Sequence, residues 1–281
     1  MNLLTDLAPL RACIAGWKRH GHRIGFVPTM GNLHAGHAAL VELARQQADK
    51  VVVSIFVNPT QFGPHEDFAR YPRTPEADHA LLHKLGVDLI WQPGIDTMYP
   101  RGRDHAVQVR VPGLTDILEG AHRPGHFDGV TGVVARLFHQ VQPDLAVFGR
   151  KDYQQLAVIG AMVTDLAIPV AIVPAPTIRA PDGLALSSRN QYLSADERTR
   201  APALYRSLVA VRDAVRAGQP PAQVLARQRT GLETGGFVVD YLDLRTSTLE
   251  TLGDMAHGNL VALVAARLGN TRLIDNLEFA L

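Results

Sequence analysis

His34 and His37 stand three residues apart, with Gly36 between them, in the run Pro28-Thr29-Met30-Gly31-Asn32-Leu33-His34-Ala35-Gly36-His37. Two imidazoles at that spacing can face the same point. An apolar run from Ile24 to Val27 precedes them and reads as a short buried strand. Leu40, Val41, Leu43 and Ala44 follow at helical spacing. Strand, glycine-punctuated turn and helix make half of a nucleotide-binding βαβ unit. Such a helix N-terminus offers free backbone N–H groups and a partial positive charge, which favour an anion. The spacing is neither the dinucleotide fingerprint nor the P-loop. The alternative, a pair of ordinary turn histidines, is disfavoured by the strand before and the helix after.

Four further constellations fall where ligands of a parallel sheet bind. Asn58-Pro59-Thr60-Gln61-Phe62 follows a valine-rich run, and its two amides suit hydroxyl and carboxylate groups; a solvated Asn-Pro turn is the alternative. Glu119 to Val130 is a glycine- and histidine-rich loop opening a helix at Gly129. It reads either as a surface loop capped by Asp128 or as a mobile lid whose Arg123 reaches an anion. In Phe148 to Leu156, Lys151 lies at a helix start, where it opposes the helix dipole, so a phosphate explains it better than capping does. Asp152 is justified by capping alone, and Gln155 lies one turn further on. In Gly183 to Asn190, the hydroxyls of Ser187 and Ser188, Arg189 and the backbone can wrap a triphosphate, or form a polar linker.

The elements that must position these groups alternate strand and helix over the first two-thirds. Strands are expected at Val51 to Val57, Val87 to Trp91, Leu145 to Phe148 and Val170 to Val173. Helices are expected at Ala77 to Leu85, Gly129 to Val141 and Tyr153 to Leu166. That alternation implies a parallel sheet with right-handed crossovers and ligands at the carboxyl ends of its strands. After the turn-rich segment from Pro174 to Ser194 the texture changes. Ser194 and Glu197 signal a helix cap, and one long helix is expected to run through Leu204, Leu208, Val211 and Val215 to Gly218. Another starts at Pro220-Pro221. Strands at Val238 to Leu244, Leu260 to Ala266 and Thr271 to Leu277 complete a small α+β domain. The expected architecture is α/β: a Rossmann-like parallel sheet over residues 1–176 and a smaller α+β domain over 177–281.

Composition narrows the function classes. The chain has 281 residues, 46% hydrophobic and 20% charged, with a formal net charge of +1. That near-neutral balance argues against bulk nucleic-acid or membrane binding, so any basic site must be local. Cys13 is the single cysteine and sits at helical spacing with Leu10, Ile14 and Trp17, as a buried structural thiol would. No signal peptide pattern or transmembrane-length apolar run appears, which fits a cytoplasmic protein.

His34-Ala35-Gly36-His37 resembles the H-x-G-H signature of adenylyl-transferring enzymes, whose imidazoles hold ATP phosphates. Together with Val53 to Phe62, Tyr71-Pro72-Arg73-Thr74, Arg123-Pro124, His126-Phe127, Phe148 to Leu156 and Leu184 to Asn190, it resembles the pantothenate synthetase (pantoate–β-alanine ligase, AMP-forming) family. The resemblance implies a Rossmann-like domain and a C-terminal domain that, with the Glu119–Phe127 loop, closes over the site. The implied reaction condenses (R)-pantoate with β-alanine and splits ATP, with Mg²⁺, through a pantoyl adenylate. It makes His37, His34 and Lys151 catalytic. It implies ATP contacts from Met30, Gly31, Asn32, Leu33, Ala35, Gly36, Gly149, Arg150, Asp152, Ile178, Leu186, Ser187, Ser188 and Arg189. Gln61 and Gln155 match the family's pantoate-binding pair, with Gln61 also near β-alanine. Asn58, Tyr71, Asp78 and Arg123 are second-tier members. Arg150 stands where the family commonly has glutamate, so that residue's role is not carried over; Ala77 stands where it tends to have an acidic residue, and no protein ligand for the metal is assigned. The resemblance further implies a homodimer. An adenylyltransferase of the same superfamily, or a nucleotide-binding regulator without catalysis, shares the H-x-G-H feature.

Overall fold

A computed structural model describes residues 1–64, 66–252 and 257–281. The chain divides into two compact units, residues 1–150 with 155–176, and residues 151–154 with 177–281. The short stretch from Lys151 to Gln154 thus groups with the second unit.

The first unit is built on strands β1 (Asn2–Leu4), β2 (Ile24–Thr29), β3 (Lys50–Ile55), β4 (Leu89–Trp91), β5 (Leu145–Gly149) and β6 (Ala171–Ala175). They form one parallel sheet in the order β1-β4-β3-β2-β5-β6. The chain steps outward from β2 to β3 and β4, then returns to the other side of β2 for β5. The β2–β5 pair is therefore the topological switch point, where such sheets bind ligands at their carboxyl ends. Helices α1 (Leu7–Arg19), α2 (Ala35–Gln47), α3 (Pro75–Lys84), α4 (Ile95–Met98), α5 (Glu119–His122), α6 (His126–Val141) and α7 (Tyr153–Asp165) accompany the strands.

Side chains alternate across the pleat, which splits the core in two. Phe26, Val52, Leu89, Trp91, Ala146 and Phe148 pack with Leu10 and Ile14 of α1 and Phe138 of α6. Val27, Val51, Val53, Ile90, Leu145 and Val147 pack with Val41 and Ala44 of α2 and Leu82 of α3. Both faces are covered, which is why the strands read as continuous apolar runs. Cys13 is half-buried against the first cluster rather than fully buried. Burial and the nearby Asp88 push its thiol pKa up, in keeping with a structural role.

The second unit holds helices α8 (Ala195–Arg200), α9 (Ala203–Arg216) and α10 (Pro221–Thr234). Its antiparallel sheet is β7-β8-β9, with strands Phe237–Thr246, Asn259–Leu268 and Thr271–Ala280. Leu204, Leu208, Val211 and Val215 of α9 pack on Ala262, Val264 and Ala266 of β8. The single long helix expected after Ser194 is instead α8 and α9, broken at Ala201-Pro202. Proline has no N–H to continue the ladder, and its ring crowds the carbonyl one turn back. The Ser194–Glu197 capping box forms as expected. Strand β1 went unread because three residues carry no periodicity, and it forms only by pairing with β4.

Candidate active site

The Met30–His37 run leaves β2 at the switch point. Gly31 (φ 82°) and Asn32 (φ 51°) are both left-handed, which turns the chain back on itself. A carboxylate secures the turn: Asp78 of α3, 2% exposed, accepts N–H bonds from Asn32 at 2.9 Å and Leu33 at 2.8 Å. It also accepts from Thr74 Oγ1 at 3.1 Å. Asp78 therefore holds the loop, with both carboxylate oxygens engaged.

His34 is the N-cap of α2, and the two histidines form a reciprocal capping box. His34 Nδ1 accepts the Gly36 N–H at 3.1 Å, and His37 Nδ1 accepts the His34 N–H at 3.3 Å. A backbone N–H only donates, so both Nδ1 atoms carry lone pairs and each neutral ring holds its proton on Nε2. The rings lie 4.2 Å apart. Several of the backbone donors expected to be free at this helix start are thus engaged within the protein. The N–H groups of His34 and Gly36 are taken by imidazoles and those of Asn32 and Leu33 by Asp78. The imidazoles carry the positive end of the helix outward through a hydrogen-bonded relay.

The Asn58–Gln61 segment follows β3. Asn58 is fully buried, which rules out the solvated turn. Its Oδ1 accepts from Tyr99 OH at 2.6 Å and from the Thr60 N–H and Oγ1, while its Nδ2 donates to Gly129 O and Gln61 Oε1, both at 3.1 Å. Those partners fix both amide orientations. Gln61, 9% exposed, consequently presents Nε2, which lies 3.2 Å from Met30 Sδ. Both side-chain polar atoms of Asn58 are engaged within the protein, so it positions Gln61. Gly129 permits the arrangement: a Cβ there would overlap the Thr60 carbonyl and come within 2.7 Å of Gln61 Cα. Tyr71 is buried, with its ring against Phe62.

Arg123 is engaged by carboxylates of the protein itself. Its side chain is 12% exposed and bonds Glu66 at 2.5 and 2.7 Å and Glu119 at 3.0 Å. Burial pushes the Glu66 carboxyl up, but the hydrogen bonds and charge of Arg123 outweigh it and leave the pKa below the ordinary value. The stretch that precedes Arg123 is the helix α5, with Glu119 and Gly120 buried. The helix after it starts at His126, so Asp128 falls inside the first turn. Glu66, Tyr99 and Glu119 were missed as site-shaping residues. Tyr99 lies 41 residues from Asn58 along the chain, and no local pattern marks such a pair.

Gly149 ends β5, Arg150 follows it, and Gln155 is half-buried on α7. In the second unit, Lys151 Nζ lies 3.3 Å from Asp152 and its carbonyl accepts from Asn276 Nδ2. Ile178 and Leu186 face each other across a hairpin, with Leu186 N donating to Ile178 O. Arg179 braces that hairpin by a bidentate bond to Asp275 and lies 3.8 Å over the Tyr205 ring. Ser187 Oγ accepts the Arg189 N–H and caps a 3-10 turn through Ser188 to Tyr192. The hydroxyl pair and arginine therefore sit on a hydrogen-bonded 3-10 turn.

The parallel sheet, its switch point and the histidine-capped helix define an α/β enzyme of the Rossmann-like class. The model of the pantoate-β-alanine ligase family matches residues 2–278. A pantothenate synthetase of Xanthomonas euvesicatoria is 60% identical, covering 98% of this chain and 99% of its own. The crystal structure of the Thermus thermophilus pantothenate synthetase superposes with a TM-score of 0.91 at 51% identity, covering 99% of both chains. That of a Francisella tularensis pantoate-β-alanine ligase, complexed with beta-gamma ATP and β-alanine, gives 0.82 at 32% identity over 99% of this chain and 97% of the other. The chain belongs to the pantoate–β-alanine ligase family and is a ligase that joins pantoate to β-alanine in pantothenate biosynthesis. Among the described residues no helix is long and apolar enough to cross a membrane.

Proposed function

We propose that the ligation proceeds on ATP through a pantoyl adenylate. The pantoate carboxylate attacks the α-phosphorus, its oxygen forming the new P–O bond as pyrophosphate leaves. The β-alanine amine then attacks the acyl carbon; the amide forms, AMP departs, and the amine gives up a proton. The carboxylate is a competent nucleophile, so the protein's task is positioning and charge stabilisation. The observation that carries the reading is the reciprocal histidine cap, which keeps two Nε2–H donors at one helix start at the switch point. Charge grows on the α-phosphate and the leaving pyrophosphate, and preorganised donors stabilise it most where they need not reorient.

His37, His34 and Lys151 are accordingly the catalytic set. Met30 to His37, Gly149 to Asp152, Ile178 and Leu186 to Arg189 contact the nucleotide, with Ser187, Ser188 and Arg189 on the β- and γ-phosphates. Gln61 and Gln155 bind pantoate, and Gln61 also meets β-alanine. Residues 1–176 act as the nucleotide- and pantoate-binding domain and 177–281 as the lid that excludes water from the labile adenylate. Mg²⁺ accompanies ATP. Among the described residues no group of three or more His, Cys, Asp or Glu side chains could hold a metal. With Asp78 engaged by the loop, an Mg²⁺ ion arriving with ATP would draw its ligands from phosphate oxygens and water, as it commonly does. The enzyme acts as a cytoplasmic homodimer.

The adenylate is tested with pantoate labelled with ¹⁸O in its carboxylate. One labelled oxygen appearing in AMP establishes the route; unlabelled AMP alongside labelled pantothenate rejects it. Pyrophosphate and AMP release requiring both substrates tests the overall reaction.

A further inference from the structure

Arg123 and His126 flank the turn between α5 and α6, and both reach the main-chain carbonyl of Gln61, at 3.3 and 2.8 Å. A carbonyl only accepts, so His126 Nδ1 carries the ring proton. Nε2 lies 3.1 Å from Arg123 Nη1, which only donates, so Nε2 holds the lone pair. The ring is thus the neutral Nδ1–H tautomer, the reverse of His34 and His37, with both nitrogens satisfied.

Arg123 cannot drift from this role. Glu66 takes Nε and Nη2, and Glu119 takes Nη1. A second proton on His126 would set two donors nose to nose at Nε2. Burial first, then the charge of Arg123, lower its pKa from 6.5 to about 4, against the smaller opposing influence of the Gln61 main-chain hydrogen bond and of Glu119 and Glu66. Gln61 is therefore held at both ends: its amide by Asn58, and its backbone by a histidine fixed in one tautomer by its partners.

We propose that His126 is a positioning residue for the ligation: its Nδ1–H, braced by Arg123, pins the Gln61 main chain so that the Gln61 amide stands in place to receive pantoate. This rests on the assignment of Gln61 to pantoate. It gives the Arg123–His126 stretch an inward, structural purpose for binding one substrate.

The test compares His126→Asn, whose amide N–H can replace the Nδ1 donor, with His126→Leu, of similar shape and no donor. The full chain is assayed for pantothenate, with KM measured separately for pantoate and ATP. His126→Leu is expected to raise the pantoate KM by about ten- to a hundredfold, as small misplacements of a positioning group do. The ATP KM is expected to stay level, and His126→Asn to recover most of the loss. A pantoate KM unchanged in His126→Leu, or KM values that rise together for both substrates, overturns the proposal. Product formation by the wild-type chain is the separate control. Its absence overturns the ligase reading itself, whereas a working wild type with an indifferent His126→Leu overturns only the role of His126. Imidazole ¹⁵N NMR of the wild type decides the matter independently of whether the leucine variant folds. A non-titrating Nδ1–H signal at neutral pH is expected, and an Nε2–H tautomer overturns the proposal.

Discussion

Three histidines in the first unit do different work because their partners differ. His34 and His37 accept backbone N–H bonds at Nδ1 and so offer Nε2–H, whereas His126 donates at Nδ1. His37→Ala should lower pantothenate formation by about 10²–10³-fold, the usual effect of losing one preorganised donor to developing charge. Circular dichroism should show the fold intact, since a lost N-cap partner costs only about 1 kcal/mol. Near-normal turnover by a folded variant would remove His37 from the catalytic set. Ser54 makes the opposite kind of prediction. Its Oγ is buried on β3 with no hydrogen-bond partner. Ser54→Ala deletes an unsatisfied polar atom, so stability in urea should stay level or rise by about 1 kcal/mol. A clear loss would mean that the hydroxyl has a partner, such as an ordered water.

At the scale of elements, the site depends on close approach between segments far apart in sequence. Helix α6 lies against the Asn58–Gln61 segment because Gly129 has no Cβ to strike the Thr60 carbonyl. Gly129→Ala should therefore destabilise the fold by about 1–3 kcal/mol, as overpacking does, and raise the pantoate KM. A variant with unchanged melting and unchanged KM would show that the segment yields freely. The same reasoning explains what could be read in advance. The Ile24 strand, the helix after His37 and the Ser194 cap were legible because each is encoded within one or two turns of chain. The break at Pro202 was legible in principle, since proline acts locally. The commitment of Arg123 was not, because Glu66 lies 57 residues away, and an arginine beside a glycine-rich loop reads equally well as a ligand for outside anions.

For the whole molecule, the ionisation of buried groups links pH to stability. His126 titrates at about 4 in the folded protein against 6.5 ordinarily. Between those values the unfolded chain binds a proton that the folded chain does not, so the contribution of His126 to stability is fully present above about pH 6.5 and is lost as the pH drops towards 4. The gap corresponds to about 3 kcal/mol at most. Urea titrations across that range should show the loss, and His126→Asn should flatten it; an equal slope in the variant would place the acid sensitivity elsewhere. By itself the sequence determined the α/β alternation, the parallel sheet, the family and the residues that carry its signature, because apolar periodicity, caps and short motifs are local properties of the chain. Tertiary structure alone decided which polar atoms face outward. It turned the N–H groups of Asn32 and Leu33 onto Asp78 and those of His34 and Gly36 onto the imidazoles, and buried Asn58 beside Tyr99. It also closed Arg123 and His126 on Gln61, because a buried donor or acceptor must find its partner wherever the fold brings one near.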